Sequence, residues 1–534
     1  MLDFVRPGGA RTPRGRLLSI AALLIGSLVI PASRLDGAAG ASLLHQRGAS
    51  HDLSASVSAE SLHRAASGRV RDFYEAVGWR AVWDDASRAA LEAALADRSR
   101  HGLDLVSFLD RAGEPRGAAE DELAYTEAAL RYGDALARGI VDPATLHQIY
   151  TLPRVEVDVA AGLAAAIARG DLREWLAALA PRDEEYMRLS RAYLDFRAER
   201  QDARPPRIGE GIIRVGGSDS RVPIIVDQLI DDEYLDAPTT PTGAVPESVP
   251  VSTLYTREIA EAVERLQRDY GIAADGVVGP NTLAVLNLGP GDRARAIAVA
   301  LERRRWLQRT APATRIDVNT AASRLYYYRD GKMIDSRRVI VGKPGTETPA
   351  LQSPIYRLVA NPTWTVPKSI QRGELAHVGR AYLRRHNMTL RNGWIVQGPG
   401  PGNALGLVKF DMHNGHAIYL HDTSAPALFA RSQRHRSHGC VRVEDALGFA
   451  RLLAQDQGVE AEWQAAQAGG QQRFVALATP IPVRLLYQNV FIDLQGDLAF
   501  RTDPYGWNAP IAKALGFPDR REARVRSDEI DIAP

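Results

Sequence analysis

The sequence predicts a multidomain α+β chain: an all-α N-terminal scaffold, a small helical module, and a β-rich domain in the C-terminal half. Three observations predict it. At 534 residues the chain exceeds what a single hydrophobic core organises. Its first half is dominated by Ala, Leu, Arg and Glu, with apolar positions at helical spacing. Beyond residue 313 the period shortens to that of strands.

The N-terminus reads as a secretory signal over 1–41. Arg6, Arg11, Arg14 and Arg16 precede the apolar run "LLSIAALLIGSLVI", and small residues follow. That run is shorter than the ~20 residues a bilayer span needs. Removal is therefore favoured, membrane contact is expected only if the signal is retained as an anchor, and the mature protein is expected to be soluble outside the cytoplasm.

A helical scaffold is expected over 46–205. "ASRAALEAALADRSRHGL" and "LAAAIARGDLREWLAALAP" carry the helical period, Gly102, Gly139 and Gly170 close helices, and Pro143, Pro153 and Pro181 mark restarts. The module spans 206–295, with a Pro- and Thr-rich linker at 236–250. In "TREIAEAVERLQRDYGIAADGVVGPNTLAVLN", Ile259, Val263, Leu266 and Tyr270 share a helical face. Asp275-Gly276 makes a turn, and Gly279-Pro280 opens a second helix carrying Leu283 and Leu286. This pattern resembles the small peptidoglycan-binding module found beside many cell-wall enzymes.

After a basic helix, "RARAIAVALERRRWLQR", strand-like segments define a β domain over 313–470. Asp330-Gly331 is a hairpin turn, and the strand "HAIYL" is expected to deliver His421 at its end. The remaining segment, 471–534, is expected to form a hairpin about Gln495-Gly496 and to pack back on the scaffold. The net charge of +2 gives no reason to expect a nucleic-acid partner.

Cys440 is the only cysteine in the chain. An exported protein with one thiol cannot form an internal disulfide. A chemical role is therefore in view, and the neighbourhood supplies what a thiol nucleophile needs: a base, and donors for a developing oxyanion. His421 ends a strand on which Tyr419 shares its face while Ile418 and Leu420 point the other way. Fifteen residues later comes Ser437-His438-Gly439-Cys440, a gap that lets the chain return beside that strand. Gly439 permits positive φ or close approach of a substrate, and the Cys440 N–H, with a neighbouring amide, can face a scissile carbonyl. The cluster of His413, His416, His421, His435 and His438 around the thiol also admits a zinc site, but its spacing matches no compact zinc module. No metal or cofactor is expected.

"IYLHDT", the gap and "SHGCVRV" resemble the signature of L,D-transpeptidases. "NPTWTVPKSI", "GPGPGNALGLVKFDMHN", "ERRRWLQR" and "VIVGKPGTETP" resemble their large periplasmic subfamily, whose members join a helical scaffold, a peptidoglycan-binding module and a catalytic β domain. The resemblance implies Cys440 as acyl-accepting nucleophile and His421 as its base, with His438 and Gly439 beside the oxyanion hole. Asp422, by side chain or backbone carbonyl, would be the orienting third member. Arg442 stands where smaller members have Asn. It would hold a stem carboxylate or form a structural ion pair, and Ser437, Tyr419, Trp364 and Trp394 join it as substrate-binding candidates. The stretch between Pro367 and Gln397 would be a flap over the site. The implied reaction is formation of 3→3 peptidoglycan cross-links from tetrapeptide stems, with carbapenem-type β-lactams as inhibitors. Carboxypeptidase action, wall-protein attachment and a non-catalytic wall-binding scaffold are the alternatives.

Overall fold

The computed structural model describes residues 57–109, 117–198, 206–237 and 252–519. The expected signal at 1–41 and all but the first two residues of the expected linker lie outside the described residues.

The scaffold is helical because its apolar residues recur on one face of each helix and meet in a common core. The long helix Ala118–Arg138 contributes Ala128, Ala129, Tyr132 and Leu136 to that core. It stops at Gly139, where φ is +85° and an added Cβ would lie 2.4 Å from the Glu302 carboxylate. Pro143 stands at the start of the short helix Pro143–Leu146. Pro153, expected to restart a helix, does not. The chain stays irregular until Val159–Arg169, whose entry is set by the Asp158 side chain accepting from the Ala161 N–H.

The helix Pro290–Arg305, basic in sequence, is an interior element. Ala294, Ile297, Ala298 and Leu301 are fully buried in the scaffold core. Glu302 and Arg305 form an ion pair with no exposed surface. Glu302 also accepts from the Val141 N–H at 2.9 Å and the Trp306 indole N–H at 3.2 Å. Arg305 donates to the His101 carbonyl at 2.7 Å and to the Tyr186 hydroxyl at 3.1 Å. This hydrogen-bonded pair pins the helix that leads into the β domain.

The β domain begins with β1 (Arg315–Asn319), β2 (Arg324–Arg329), β3 (Lys332–Gly342) and β4 (Gln352–Ala360). A separate three-stranded sheet follows, from β5 (Trp364–Thr365), β6 (Met388–Arg391) and β7 (Trp394–Gln397). The chain then returns as β8 (Val408–Met412), β9 (Leu420–His421), β10 (His435–Ser437), β11 (Val441–Val443) and β12 (Arg473–Leu486). The main sheet runs β10-β3-β11-β9-β8-β4-β12-β1-β2, and β3 also pairs with β2, so the sheet closes on itself. Asp330 and Gly331 both take positive φ at the β2–β3 turn, as a two-residue hairpin requires. One face is apolar, with Val408, Phe410, Leu420, Val441 and Val443 fully buried beside helix Ala446–Asp456.

The expected C-terminal segment 471–534 begins with a strand of this sheet. β12 pairs with β4 on one side and β1 on the other, because Val475, Ile481, Val483 and Leu485 alternate into the same apolar core. After it, β13 (Val490–Ile492) and β14 (Leu498–Phe500) form a short hairpin. The helix Asn508–Ala514 places Ile511 and Ala512 in the scaffold core.

Breaking the buried pair leaves an uncompensated charge in an apolar interior. Glu302→Ala is expected to cost about 3–5 kcal/mol of stability, read as a fall in the denaturant midpoint of the full chain.

Candidate active site

Strand register decides which side chains meet. β11 runs parallel to β9 with Val441 opposite Leu420 and Arg442 opposite His421. β8 runs antiparallel to β9 with Lys409 opposite His421. Side chains alternate across a sheet, so if Val441, Leu420 and Phe410 enter the core, Cys440, Arg442, Tyr419, His421, Lys409 and Asp411 lie on the other face. The thiol and the imidazole therefore share one face of adjacent strands. The strand before His421 is shorter than expected. Ala417 takes φ +56° and breaks it, leaving only Leu420 and His421 in the ladder.

His421 is fully buried, and its Nδ1 lies 2.6 Å from the Asp422 carbonyl oxygen. A carbonyl only accepts, so Nδ1 carries the proton and Nε2 is the nitrogen that exchanges one with a nucleophile. The third, orienting contact is thus a backbone carbonyl. The Asp422 side chain is engaged elsewhere, its Oδ2 accepting from the Leu407 N–H at 2.9 Å. A Cβ at Gly406 would lie 2.4 Å from that carboxylate, so the glycine makes room for it. Burial raises the Asp422 carboxyl above its ordinary range.

The Ser-His-Gly-Cys segment is a braced turn. The Ser437 hydroxyl is buried, donates to the Cys440 carbonyl at 2.6 Å and accepts from the Gly439 N–H at 3.2 Å. It stands within the turn itself. Gly439 takes φ +115°, a conformation side chains rarely adopt. The Cys440 N–H donates to no other group among the described residues, and so can serve a developing oxyanion.

A second layer, which the sequence reading missed, holds this turn from outside. Thr348 donates to the Gly439 carbonyl at 2.8 Å and accepts from the Gly342 N–H at 2.8 Å. Thr346 donates to the Ser437 carbonyl at 3.1 Å. Tyr505, far along the chain, donates to the Gly342 carbonyl at 2.7 Å and accepts from the Thr348 N–H. Its ring also packs edge-on against His435. A side chain at Gly342 would strike the Thr346 carbonyl at 2.2 Å. The only signal for this layer was the Gly-rich "VIVGKPGTETP" itself.

Cys440 is 6% exposed, and burial pushes its thiol up to about 11. The Tyr419 backbone N–H and hydroxyl, then the Lys409 and Arg442 charges, pull the other way. The thiol is thus neutral at physiological pH and donates weakly toward the Ala417 carbonyl at 3.5 Å. Burial and the neighbouring sulfur hold the Tyr419 hydroxyl well above its ordinary range. The Lys409 ammonium sits 4.2 Å from the Tyr419 ring centre and 2.7 Å from Asp411. Arg442 is fully buried beneath this face.

The segment 361–406 packs against Tyr419 and contacts the turn that carries the sulfur. Trp364, Val366, Ile370, Leu375, Met388 and Ile395 form its own small core, against which Tyr419 packs. Trp364 is buried there, whereas Trp394 lies exposed at the tip of the β6–β7 hairpin with the Lys368 ammonium 4.1 Å from its ring centre. His438 Nε2 lies 2.8 Å from the Glu374 carboxylate, tying the turn to the flap. Burial pushes Glu374 up, but a backbone hydrogen bond, His438 and Lys343 bring it below its ordinary value. Cavities of about 960 Å³ and 490 Å³ lie elsewhere, the larger lined by Leu283, Arg293 and Phe500, the smaller by Arg304, Tyr328 and Arg484. No cluster of metal-ligating side chains occurs among the described residues.

Parts of the chain are similar to known families. Residues 313–471 match the family model described as the L,D-transpeptidase catalytic domain. Residues 68–192 match a scaffold domain, and 222–286 match the model "Putative peptidoglycan binding domain". A protein of Haemophilus influenzae named "Putative L,D-transpeptidase" is 31% identical over 220 residues, which is 37% of this chain and 45% of that one. The chain thus spans less than half the length of this curated relative. Among solved structures, an L,D-transpeptidase from Stackebrandtia nassauensis is 14% identical, covering 53% of this chain and 97% of its own, with a TM-score of 0.22. An avibactam carbamoyl enzyme is 15% identical, covering 33% and 49%, with a TM-score of 0.19. Likenesses so slight carry no argument about geometry. Three family models thus match successive parts of the chain, a scaffold domain, a peptidoglycan binding domain and an L,D-transpeptidase catalytic domain in that order.

The partly exposed Glu374–His438 pair is of the kind that contributes about 0.5–1 kcal/mol, or two- to fivefold in a conformational population. Glu374→Ala is expected to raise the rate of iodoacetamide labelling of Cys440 at pH 7 by about that factor.

Proposed function

We propose that this protein is a peptidoglycan L,D-transpeptidase that forms 3→3 cross-links through a Cys440 thioester. The observation that supports the reading best is the placement of Cys440 and His421 on one face of paired strands, with the imidazole tautomer set by the Asp422 carbonyl.

The donor is a tetrapeptide stem. As its carbonyl between the third residue and the terminal D-alanine meets the sulfur, His421 Nε2 takes the thiol proton and the thiolate adds to that carbonyl. Negative charge on oxygen develops beside the Cys440 N–H, and the Tyr419 hydroxyl stands next to the sulfur. The imidazolium returns its proton to the departing amine of D-alanine, leaving a thioester on Cys440. The side-chain amine of a second stem's third residue then attacks, His421 accepts its proton, and the thiol is restored. Water as the acceptor would make the same site a carboxypeptidase, and a flap that closes over the thioester favours the amine. The neutral, buried thiol fits this scheme, because the proton leaves only when a base and an electrophile are both in place. Export to the periplasm belongs to the same reading.

A carbapenem offers the same thiol an acylating carbonyl. Full-length protein is expected to gain the mass of one carbapenem, and Cys440→Ala none. Incubated with tetrapeptide-rich sacculi, the wild type is expected to yield 3→3 dimers by mass spectrometry. A wild type that takes up the drug yet releases only tripeptides would reassign the site to hydrolysis.

A further inference from the structure

The segment 361–406 beside the thiol's turn has a charge that the acyl-transfer chemistry does not use. Between 361 and 406 stand Lys368, Arg372, Arg380, Arg384, Arg385 and Arg391, against the single carboxylate Glu374. This is a formal excess of five positive charges in a chain whose net charge is +2. The one carboxylate is engaged by His438. All five arginines are exposed, and among the described residues no carboxylate or carbonyl holds any of their guanidinium groups. Several arginines elsewhere are held by carboxylates: Arg484 is bidentate on Asp317 at 2.7 Å, Arg357 meets Asp411 at 2.7 Å, and Arg221 meets Asp219 at 2.8 Å. Unpaired like charges in one small subdomain repel one another, so the arrangement is stabilised when an anion joins it.

The apolar surface decides between two polyanions. Leu390 is 66% exposed and Trp394 40%, a pair that on one face would suit a lipid layer. They are not on one face. Leu390 is paired with Ile395, and Arg391 with Trp394, so the two side chains leave opposite sides of the hairpin. On helix Arg380–Arg385, Tyr382 and Leu383 turn inward against the flap core. What faces outward is charge without a continuous apolar stripe, which fits a hydrated polyanion better than a bilayer.

We infer that the outer face of the flap is an electrostatic docking surface for the free carboxylates of peptidoglycan stem peptides, holding stems that neighbour the one being processed. This rests on the peptidoglycan reading above and adds a second place of contact, outside the thiol site. Arginine suits such a surface, because its planar fork meets a carboxylate with two parallel hydrogen bonds. Since the contacts are exposed, salt should screen them.

The test uses full-length Cys440→Ala protein, so that covalent capture plays no part, and measures co-sedimentation with purified sacculi at low and high salt. Binding is expected to contain a salt-sensitive component that the added triple substitution Arg380→Gln, Arg384→Gln, Arg385→Gln weakens by roughly tenfold. Sacculi whose carboxylates have been amidated with a carbodiimide are expected to lose the same component. Unchanged binding by the triple variant, or full binding to amidated sacculi, overturns the inference. So does equal, salt-sensitive binding to vesicles of phosphatidylglycerol, which would make a lipid surface the occupant. The same triple substitution in protein that retains Cys440 is then treated with a carbapenem. Normal adduct formation with unaltered sacculus binding sinks the docking surface alone, whereas no adduct even in the unsubstituted protein sinks the transpeptidase reading.

Discussion

The structure around the thiol depends on one short parallel ladder, in which Val441 and Arg442 of β11 lie opposite Leu420 and His421 of β9. A slip of one residue would turn Cys440 into the apolar core and Val441 onto the face that carries His421. What prevents the slip is the depth of burial on the core side: Leu420, Val441 and Val443 have no exposed surface, and Phe449 of the following helix packs with them in the same core. Cys440 and His421 on one face are thus held in register by apolar packing on the other.

The same burial creates the site's main electrostatic problem. An interior sulfur resists ionisation, and this one is raised to about 11 despite two nearby cations. Catalysis by such a group requires that the proton be handed to a base at the moment of attack, which makes the orientation of His421 decisive. That orientation comes from a backbone carbonyl, a partner no side-chain substitution removes. The braces at Thr348, Gly342 and Tyr505 extend the same logic to the turn that carries the thiol. Tyr505 packs against Tyr487 and Trp507, and Trp507 in turn against His147, so the turn is supported by the scaffold and by the C-terminal segment at once.

Much of this was legible in the sequence where the signal is local. The change from helical to strand period near 313 and the helix-closing glycines needed only neighbouring residues. The pairing of a strand-end histidine with Ser-His-Gly-Cys rested on a motif. What was not legible depends on residues far apart in the chain. Nothing near Tyr505 announces that its hydroxyl bridges Gly342 and Thr348. The alternation in β12 reads equally well as a strand of a separate C-terminal piece. The arginines of "ERRRW" look like a solvated face until Glu302, His101 and Tyr186 close around Arg305. The identical residue type in the flap stays in solvent, and only the structure separates the two fates.

The claim that His421 takes the proton from a thiol that cannot readily ionise unaided is tested most directly by a pH profile. The rate of Cys440 acylation by a carbapenem would be followed from about pH 5 to about pH 11 in the wild type and in His421→Gln, a range that brackets the ordinary imidazole and the raised thiol. The wild type should reach its plateau well before the alkaline end, while the variant should be slow at neutrality and climb only as the buried thiol itself ionises. Superimposable profiles would mean that the imidazole plays no part in activating the sulfur, and the account of the site would be wrong.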